Sequence, residues 1–429
     1  MASREGIARR QLLLSGAVAG GALLLGRRAD AVTPAPASAS GRAAPPVVVP
    51  NGQRLVSKVV DGVRVFHLVA TPVAHEFTPG LVGECWGYNG LVHGPMIEAT
   101  EGERVRLYVT NQLAAPTTVH WHGVNVPNGM DGVGGLNQRT IGPGQTFRYE
   151  YTLERPGTFM YHPHDDEMTQ IALGMTGLFI VHPRDPEPDP PDRDVAIMLH
   201  EWSIDIGTGR PNPHAMSDFN VLTINGRCFP GTAPIVARSG ERVRIRIGNL
   251  GPMEHHAIHL HGHEFAVVAT DGGPTPVTAQ RPETTVLVPV GSTRTIEFIA
   301  RPGDWALHCH MTHHAMNQMS HGFPNMVGFE TGDLDERMRR LLPGYMTMGQ
   351  HGMGEMASMR MAIPANSIPM LGGEGPFGVI TMGGMFTILK VRDELTGDGD
   401  PGWYPQPPGT TAELATDAEL RADGIVVPG

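Results

Sequence analysis

The sequence predicts an all-β protein that contains two copies of one β-sandwich. Its 429 residues include 55 glycines and 38 prolines, and long stretches of helical periodicity are nearly absent. That composition is typical of short strands joined by tight turns. An internal repeat with a period of roughly 140 residues indicates two domains of similar size. The formal net charge of -11 argues against a nucleic-acid partner.

The N-terminal segment is typical of an export signal and not of a folded element. Arg9 and Arg10 precede an apolar run at residues 12–25, and small residues follow at positions 29–31. The run is too short to span a bilayer, so we expect no stable membrane insertion. Paired arginines are typical of the twin-arginine route, which carries folded proteins. We therefore expect a periplasmic or secreted protein, with an uncleaved N-terminal anchor as the alternative.

The internal repeat is visible in two pairs of matching stretches. Residues 101–107 resemble residues 239–245, and both alternate apolar and polar residues as half-buried strands do. Residues 155–159 match residues 301–305, and each of these stretches lies just before a His-x-His pair. Because the unit is far too long for a solenoid repeat, it indicates a duplicated sandwich.

The repeat divides the chain into four expected parts. A proline-rich stretch at residues 184–193 can serve as the linker between the two sandwiches. The expected signal peptide, first sandwich, second sandwich and methionine-rich C-terminal extension occupy residues 1–31, 50–185, 190–332 and 333–429.

Each copy of the repeat carries two pairs of histidines with one residue between them. The pairs are His120 and His122, His162 and His164, His259 and His261, and His308 and His310. On a strand, residues i and i+2 point to the same face, so each pair directs two imidazoles the same way. A single such pair is usually an ordinary surface or core feature. Four pairs placed symmetrically indicate a cluster of metal ions, because eight imidazoles can hold three copper ions and leave positions open for oxygen.

Cys309 adds a second kind of metal site to the second copy. A blue copper site contains one thiolate, two imidazoles and a weakly bound thioether. Cys309, His314 and Met319 can supply three of these ligands, and His256 can supply the fourth. In the first copy, Pro163 corresponds to Cys309, Met168 to His314 and Leu173 to Met319. Only the second copy can therefore hold a site of this kind.

Cys85 and Cys228 are the remaining cysteines. In an oxidising compartment they could form a disulfide, and the alternative is two unpaired thiols. Their spacing does not decide between these readings.

These histidine and cysteine motifs resemble those of multicopper oxidases. Residues 120–123, 256–263 and 308–310 look like three signature motifs of that family, and residues 162–164 match a more variable fourth. The resemblance implies cupredoxin-like Greek-key sandwiches that hold four copper ions, one of type 1, one of type 2 and two of type 3. About 90 residues separate His164 from His256, too few for an additional cupredoxin domain.

The chain is thus similar to the two-domain, small-laccase branch of that family. There the three-copper cluster lies between the first domain of one subunit and the second domain of the next, which implies a homotrimer. The type 1 ligands implied by the resemblance are His256, Cys309, His314 and Met319. The implied type 2 ligands are His120 and His259. The implied type 3 ligands are His122, His162, His164, His261, His308 and His310.

The resemblance also implies roles in the reaction. Electrons would pass from Cys309 to the cluster through His308 and His310. Asp131 matches the family position of an acid that supplies protons to the cluster. The alternative is that Asp131 only shapes a glycine-rich turn.

The resemblance leaves the second proton donor open. Many larger members of the family carry an acid just after the residue that matches His314, where this chain has Ala315. Asp165, Asp166 and Glu167 are candidates to replace that acid, and the alternative is a solvated acidic turn.

The substrate is left open among several classes. The resemblance implies a laccase-like oxidase that takes electrons from phenols or aromatic amines and reduces dioxygen to water. Thioethers favour Cu(I), so a methionine-rich stretch favours instead a cuprous or other metal-ion oxidase in copper homeostasis. The candidate Cu(I) ligands are Met346, Met348, Met353, Met356, Met359 and Met361. They could alternatively form an adaptable packing surface at a subunit interface or over the blue site, or belong to a disordered tail.

Two further classes fit the motifs less well. A copper-binding or electron-transfer protein without oxygen chemistry would not need four complete histidine pairs. Copper nitrite reductases are another two-domain relative, but they carry the blue site in the first domain. Here Pro163 stands in place of that cysteine.

Overall fold

The structure is a computed structural model, and it describes residues 44–204, 208–217, 219–317, 333–341, 372–397 and 399–427. Most ordered elements are strands, which confirms the all-β prediction. The α-helices in these ranges are short: α1 (Glu167–Ala172), α2 (Thr312–Ala315), α3 (Leu334–Leu341) and α4 (Asp417–Ala422). Single 3-10 turns occur at Asn128–Met130 and Val277–Ala279. No helix within the described ranges is long and apolar enough to cross a membrane.

The first sandwich packs a larger sheet against a smaller one around one apolar core. The strands of the N-terminal half are β1 (Val47–Val48), β2 (Lys58–Val60), β3 (Val63–Thr78), β4 (Leu81–Tyr88), β5 (Ile97–Thr100), β6 (Arg104–Asn111), β7 (Thr146–Thr152), β8 (Gly157–Tyr161) and β9 (Gly177–His182). The larger sheet has the order β2-β3-β6-β7, with β4 also paired to β3, and the smaller has the order β5-β9-β8. Alternating burial along β6 confirms the half-buried strand expected at residues 101–107.

The second sandwich follows the same plan. Its strands are β10 (Arg193–Trp202), β11 (Val221–Ile224), β12 (Ile235–Arg238), β13 (Arg242–Asn249), β14 (His256–Leu260), β15 (Ala266–Thr270), β16 (Gly273–Pro274), β17 (Thr285–Val288), β18 (Ser292–Ile299), β19 (Gly303–Cys309), β20 (Glu374–Gly375), β21 (Gly378–Val379) and β22 (Phe386–Arg392). One sheet has the order β1-β10-β13-β18-β15-β16, with β11 paired to β10, and the other has the order β12-β22-β19-β14-β17. Strands β20 and β21 form a separate hairpin.

Strand β22 extends the second sandwich beyond residue 332, the end that we expect from the sequence. It lies between β12 and β19, parallel to the former and antiparallel to the latter, and all its residues are buried. Its pairing with β12 joins residues about 150 positions apart, a relation that local periodicity does not reveal. A strand of the expected C-terminal extension is thus central to the sheet that carries Cys309.

The register of the sheets shows that the two sandwiches are copies in detail. Strand β3 pairs parallel with β6 and places Ala70 opposite Asn111, while β10 pairs parallel with β13 and places Leu199 opposite Asn249. Each asparagine side chain donates to two backbone carbonyls and accepts the N–H of the residue two positions later. The same turn therefore follows β6 and β13.

The two sandwiches are joined by buried contacts, both apolar and ionic. Arg246 makes a bidentate ion pair with Asp194 at 2.8 and 2.7 Å, and its third nitrogen donates to Oγ1 of Thr158 in the first sandwich at 2.9 Å. The hydroxyl of Thr293 donates to the carbonyl oxygen of Thr158 at 3.0 Å. A buried apolar cluster from both sandwiches packs beside these groups.

Candidate metal centres

Cys309, His256 and His314 bring one sulfur and two nitrogen donors together. The Sγ of Cys309 lies 3.4 Å from Nδ1 of His314 and 3.9 Å from Nδ1 of His256, and the two Nδ1 atoms are 3.1 Å apart. All three side chains are buried. One thiolate and two imidazoles suit copper, so the residues fit the metal that the sequence predicts. The expected fourth ligand, Met319, lies outside the described residues.

The strands of the second sandwich place these donors. Cys309 ends β19 and is opposite Ile258 of β14, the strand that begins with His256. The backbone N–H of His310 donates to the carbonyl oxygen of Ala257 at 2.7 Å. The thiol and the imidazole of His256 are therefore held on neighbouring strands of one sheet.

The C-terminal part of the chain holds the backbone of His314. The N–H groups of Gly383 and Gly384 donate to the carbonyl oxygen of Ala315, both at 3.0 Å, and the N–H of Met385 donates to that of His314 at 3.0 Å. A side chain at position 384 would overlap the carbonyl oxygen of His314. The position of His314 therefore depends on residues more than sixty positions later in the chain.

The pKa values of the two imidazoles of this cluster shift in opposite directions. Burial lowers the pKa of His314 to about 4 and so favours the neutral ring. Burial also acts to lower the pKa of His256, but hydrogen bonds to Cys309 and Glu201 outweigh it and raise that pKa to about 9. Glu201 was not among the site residues expected from the sequence. A signal for a buried acid was present, because Glu201 lies beside His200 in a strand whose second half is otherwise apolar, but that pattern does not indicate its partner.

The first sandwich groups the four histidines of its two pairs. Strand-like pairing joins the backbones of His120 and His162, and ring centroids within the group are 5.3 to 6.2 Å apart. Nitrogens of three of the rings lie within 4.8 Å of one another, and these belong to His120, His122 and His162. His164 contacts the rings of His120 and His162. We call these four residues the first quartet.

Hydrogen bonds fix which nitrogen two of these rings present. Nδ1 of His120 is 2.8 Å from the carbonyl oxygen of Asp131, and Nδ1 of His162 is 2.8 Å from that of Pro163. Each Nδ1 therefore carries the proton, and each Nε2 keeps a lone pair for a metal. Burial lowers the pKa of His162 to about 3, which keeps that ring neutral.

Two carboxylates adjoin the first quartet. Oδ1 of Asp131 lies 3.3 Å from Nδ1 of His120. Glu167, at the start of α1, lies 3.5 Å from Nδ1 of His162 and 3.7 Å from Nε2 of His164. The structure therefore brings the expected acid, Asp131, to the quartet, and of the candidates for the second acid it brings Glu167 beside the other histidine pair.

The second sandwich groups its own four paired histidines, which we call the second quartet: His259, His261, His308 and His310. Their ring centroids are 4.7 to 5.8 Å apart. Nδ1 of His259 donates to the carbonyl oxygen of Thr284 at 2.7 Å, and Nδ1 of His308 to that of Cys309 at 2.9 Å. Both rings therefore keep an unprotonated Nε2, as in the first quartet, and Nε2 of His308 lies 3.1 Å from Nε2 of His261.

Part of each quartet is accessible to solvent in the described chain, and in the first quartet His120, His122 and His164 are half-buried. In the part of the chain that the structure describes, ring contacts occur within each quartet and none joins the two. The side chains of His261 and His310 are exposed. Three copper ions held by all eight rings would need the quartets to face each other.

Cys85 and Cys228 are free thiols, both buried in the same apolar cluster. Burial raises the pKa of each thiol to about 12. Of the two alternatives for these cysteines, the structure has the unpaired one.

Comparison with known proteins agrees with this geometry. Two family models, both described as multicopper oxidase, match residues 70–186 and 204–328. A probable nitrite reductase-hydroxylamine oxidoreductase fusion protein from Kuenenia stuttgartiensis is 29% identical over 274 residues, which are 60% of this chain and 31% of that protein. Copper resistance protein A from Escherichia coli is 28% identical over 43% of this chain and 38% of its own length. The chain therefore spans less than half of the length of these relatives.

A solved structure extends the likeness to the fold. The blue copper oxidase from Nitrosomonas europaea is 26% identical, with a TM-score of 0.57 over 76% of this chain and 85% of that one. This confirms the cupredoxin-like fold expected from the sequence. Because both family models match and together cover more than half of its length, the chain belongs to the multicopper oxidase family.

Proposed function

We propose that the protein is a copper-dependent oxidase that takes single electrons from a reductant and delivers them to dioxygen at a three-copper cluster. The electrons would enter at Cys309, His256 and His314, which we call the thiolate cluster. The observation that carries the proposal is the position of Cys309. Its thiol belongs to the buried cluster with His256 and His314, while its chain neighbours His308 and His310 belong to the second quartet. A few covalent bonds therefore connect the two groups of donors.

The geometry supports the following ligand assignment. His256, Cys309 and His314 would hold the type 1 copper, and Met319, which lies outside the described residues, would be the fourth ligand. His120 and His259 hold the type 2 copper, and the other six paired histidines hold the type 3 pair. Copper ions at these donors would supply one-electron transfer and the reduction of dioxygen to water, with four ions in each complete unit. Backbone carbonyl groups fix the tautomer of four of the paired histidines, His120, His162, His259 and His308, and leave Nε2 of each for a metal.

We propose a homotrimer in which the first quartet of one subunit faces the second quartet of the next. The exposure of His261 and His310 and the absence of ring contacts between the described quartets support it. Sedimentation of the copper-loaded protein should give a trimer. A copper-replete monomer with full oxidase activity would contradict this assembly.

Oxygen uptake tests the reaction itself. The copper-loaded protein should consume dioxygen with a phenol as the reductant and show a blue absorption band. Cys309→Ser should abolish the blue band and turnover while the paired histidines still bind copper. Cys228→Ser is the matched control, because it removes another buried thiol that has no place among the copper donors. Blue colour that survives Cys309→Ser would disprove the proposal.

The favoured reductants are phenols and aromatic amines, as in a laccase. A cuprous or other metal-ion oxidase is the second candidate, supported by the name of the Escherichia coli relative and by the methionine-rich stretch. That stretch, residues 346–361, lies outside the described residues. Its deletion should reduce Cu(I) oxidation far more than phenol oxidation if the second candidate is right. Equal effects on both reductants would favour the laccase.

Nitrite reduction and simple copper transport are less well supported. The buried thiol cluster is in the second sandwich, and Pro163 occupies the corresponding position of the first. Steady oxygen uptake by the protein would exclude a purely carrier role.

Asp131 is the proposed proton donor, since it contacts His120. Asp131→Asn should slow oxygen reduction while the thiolate cluster is still reduced at the normal rate.

We also propose export by the twin-arginine route on the basis of residues 1–31, which lie outside the described residues. Replacing Arg9 and Arg10 by lysine should retain the protein in the cytoplasm.

A further inference from the structure

Glu201 is a carboxylate sealed inside the second sandwich. Its side chain is 0% exposed, and its Oε2 lies 3.3 Å from Nε2 of the equally buried His256. Its Oε1 accepts the N–H groups of Met253 at 2.6 Å and Glu254 at 2.8 Å. A buried carboxylate is costly unless it is paired, so these three contacts account for its presence in the interior.

The turn after β13 is shaped around this carboxylate. A side chain at Gly251 would overlap Oε2 of Glu201, so the backbone approaches the carboxylate as only glycine allows. The two backbone N–H groups that Glu201 accepts belong to the same turn. The carboxylate is therefore held in one place, with Oε2 directed at His256.

The two copies of the sandwich differ at the position of Glu201, where the first copy has Pro72. Glu201 is two positions after Leu199, which is opposite Asn249, and Pro72 is two positions after Ala70, which is opposite Asn111. Both copies have the asparagine turn, but the carboxylate occurs only in the copy that has the thiolate cluster. The scaffold can thus form without this acid, which points to a role for it in the cluster.

We propose that Glu201 is a positioning residue for the type 1 copper, holding His256 with Nδ1 towards Cys309 and favouring Cu(II) over Cu(I). The proposal rests on the copper assignment above. The N–H at Nε2 donates to Oε2, which leaves the lone pair on Nδ1 for the metal and makes the ring a stronger donor. A buried negative charge near the metal also stabilises the ion of higher charge. The protein is thereby suited to reductants that are strong electron donors.

The test measures the reduction potential of the type 1 copper in the full-length, copper-loaded protein. Glu201→Gln keeps the size of the side chain and removes its charge. It should raise the Cu(I) to Cu(II) ratio at a fixed solution potential at least tenfold, which is 59 mV for one electron. Glu254→Gln is the matched control, because it neutralises an acid of the same turn that does not bond to His256, and it should shift the ratio less than threefold. The electron paramagnetic resonance signal of the type 1 copper should change only in the Glu201 variant.

Glu201→Asp keeps the negative charge and covers the case in which Glu201→Gln binds no copper. With this variant the Cu(I) to Cu(II) ratio at the same solution potential should stay within threefold of that of the wild type. The electron paramagnetic resonance signal should broaden, because His256 is held less firmly. The proposal is overturned if Glu201→Gln leaves the potential unchanged or shifts it no more than Glu254→Gln does. It is also overturned if Glu201→Asp shifts the potential as much as Glu201→Gln. A wild-type protein without a blue copper would instead overturn the proposed function.

Discussion

A single methyl group at Gly384 should damage the thiolate cluster from outside it. In Gly384→Ala the new Cβ would overlap the carbonyl oxygen of His314 and lie 2.9 Å from Oδ1 of Asn317. Carbon–oxygen contacts settle at about 3.5 Å, so the backbone of one segment must move by roughly 1 Å. That movement stretches the bonds from Gly384 to Ala315 and from Met385 to His314, each 3.0 Å long.

The cost follows from these contacts. Loss of two backbone hydrogen bonds amounts to about 1–3 kcal/mol, and overpacking adds about 1–3 kcal/mol. We expect the free energy of unfolding of the copper-free protein, measured with urea, to fall by about 2–6 kcal/mol. The blue band of the loaded protein should weaken or shift because His314 moves. Gly397→Ala is the control, since a Cβ there meets open space. Wild-type stability and an unchanged blue band in Gly384→Ala would refute the role of this segment.

Three further predictions concern other parts of the fold. Asp194→Asn leaves Arg246 charged and buried, so it should lower the free energy of unfolding in urea by about 3–5 kcal/mol. The double variant with Arg246→Met should recover part of that loss, and free-energy changes of the two single variants that simply add in the double variant would contradict the pairing. Burial lowers the pKa of His75 to about 4 and of His93 to about 3, so the unfolded state binds more protons below pH 6.5. The free energy of unfolding of the copper-free protein should therefore decrease as the pH is lowered below 6.5, by about 1.4 kcal/mol per pH unit for each ring. His75→Gln should reduce this slope while replacement of the exposed His67 does not, and an equal slope in both variants would count against it. Finally, Cys85 and Cys228 should resist alkylation in the folded protein, and mass spectrometry should find all three cysteines alkylated after unfolding without reductant.

The sequence could predict the parts of the site that depend on short-range patterns. The His-x-His pairs identify themselves because alternate residues of a strand share a face, and the quartets lie where those pairs indicate. The cluster of His256, Cys309 and His314 could be predicted from the donor types that copper prefers.

Other parts depend on long-range pairing that leaves no local trace. The bond between Glu201 and His256 joins residues 55 positions apart, and nothing in the periodicity of β10 indicates it. The same holds for β22, whose neighbours β12 and β19 are far away along the chain. Residue patterns therefore located the donors, but not the groups that hold them.

The place of β22 in the sheet also sets the order of events during synthesis. Cys309 and His314 leave the ribosome well before Phe386–Arg392, the strand that completes their sheet. At 5–20 residues per second, the interval between residues 309 and 392 lasts about 4–17 s. During that time the thiol has no finished sheet around it and can react with any metal or oxidant present. The sheet around Cys309 is therefore complete only after residues 386–392 are made, and the thiol is unprotected by that strand until then.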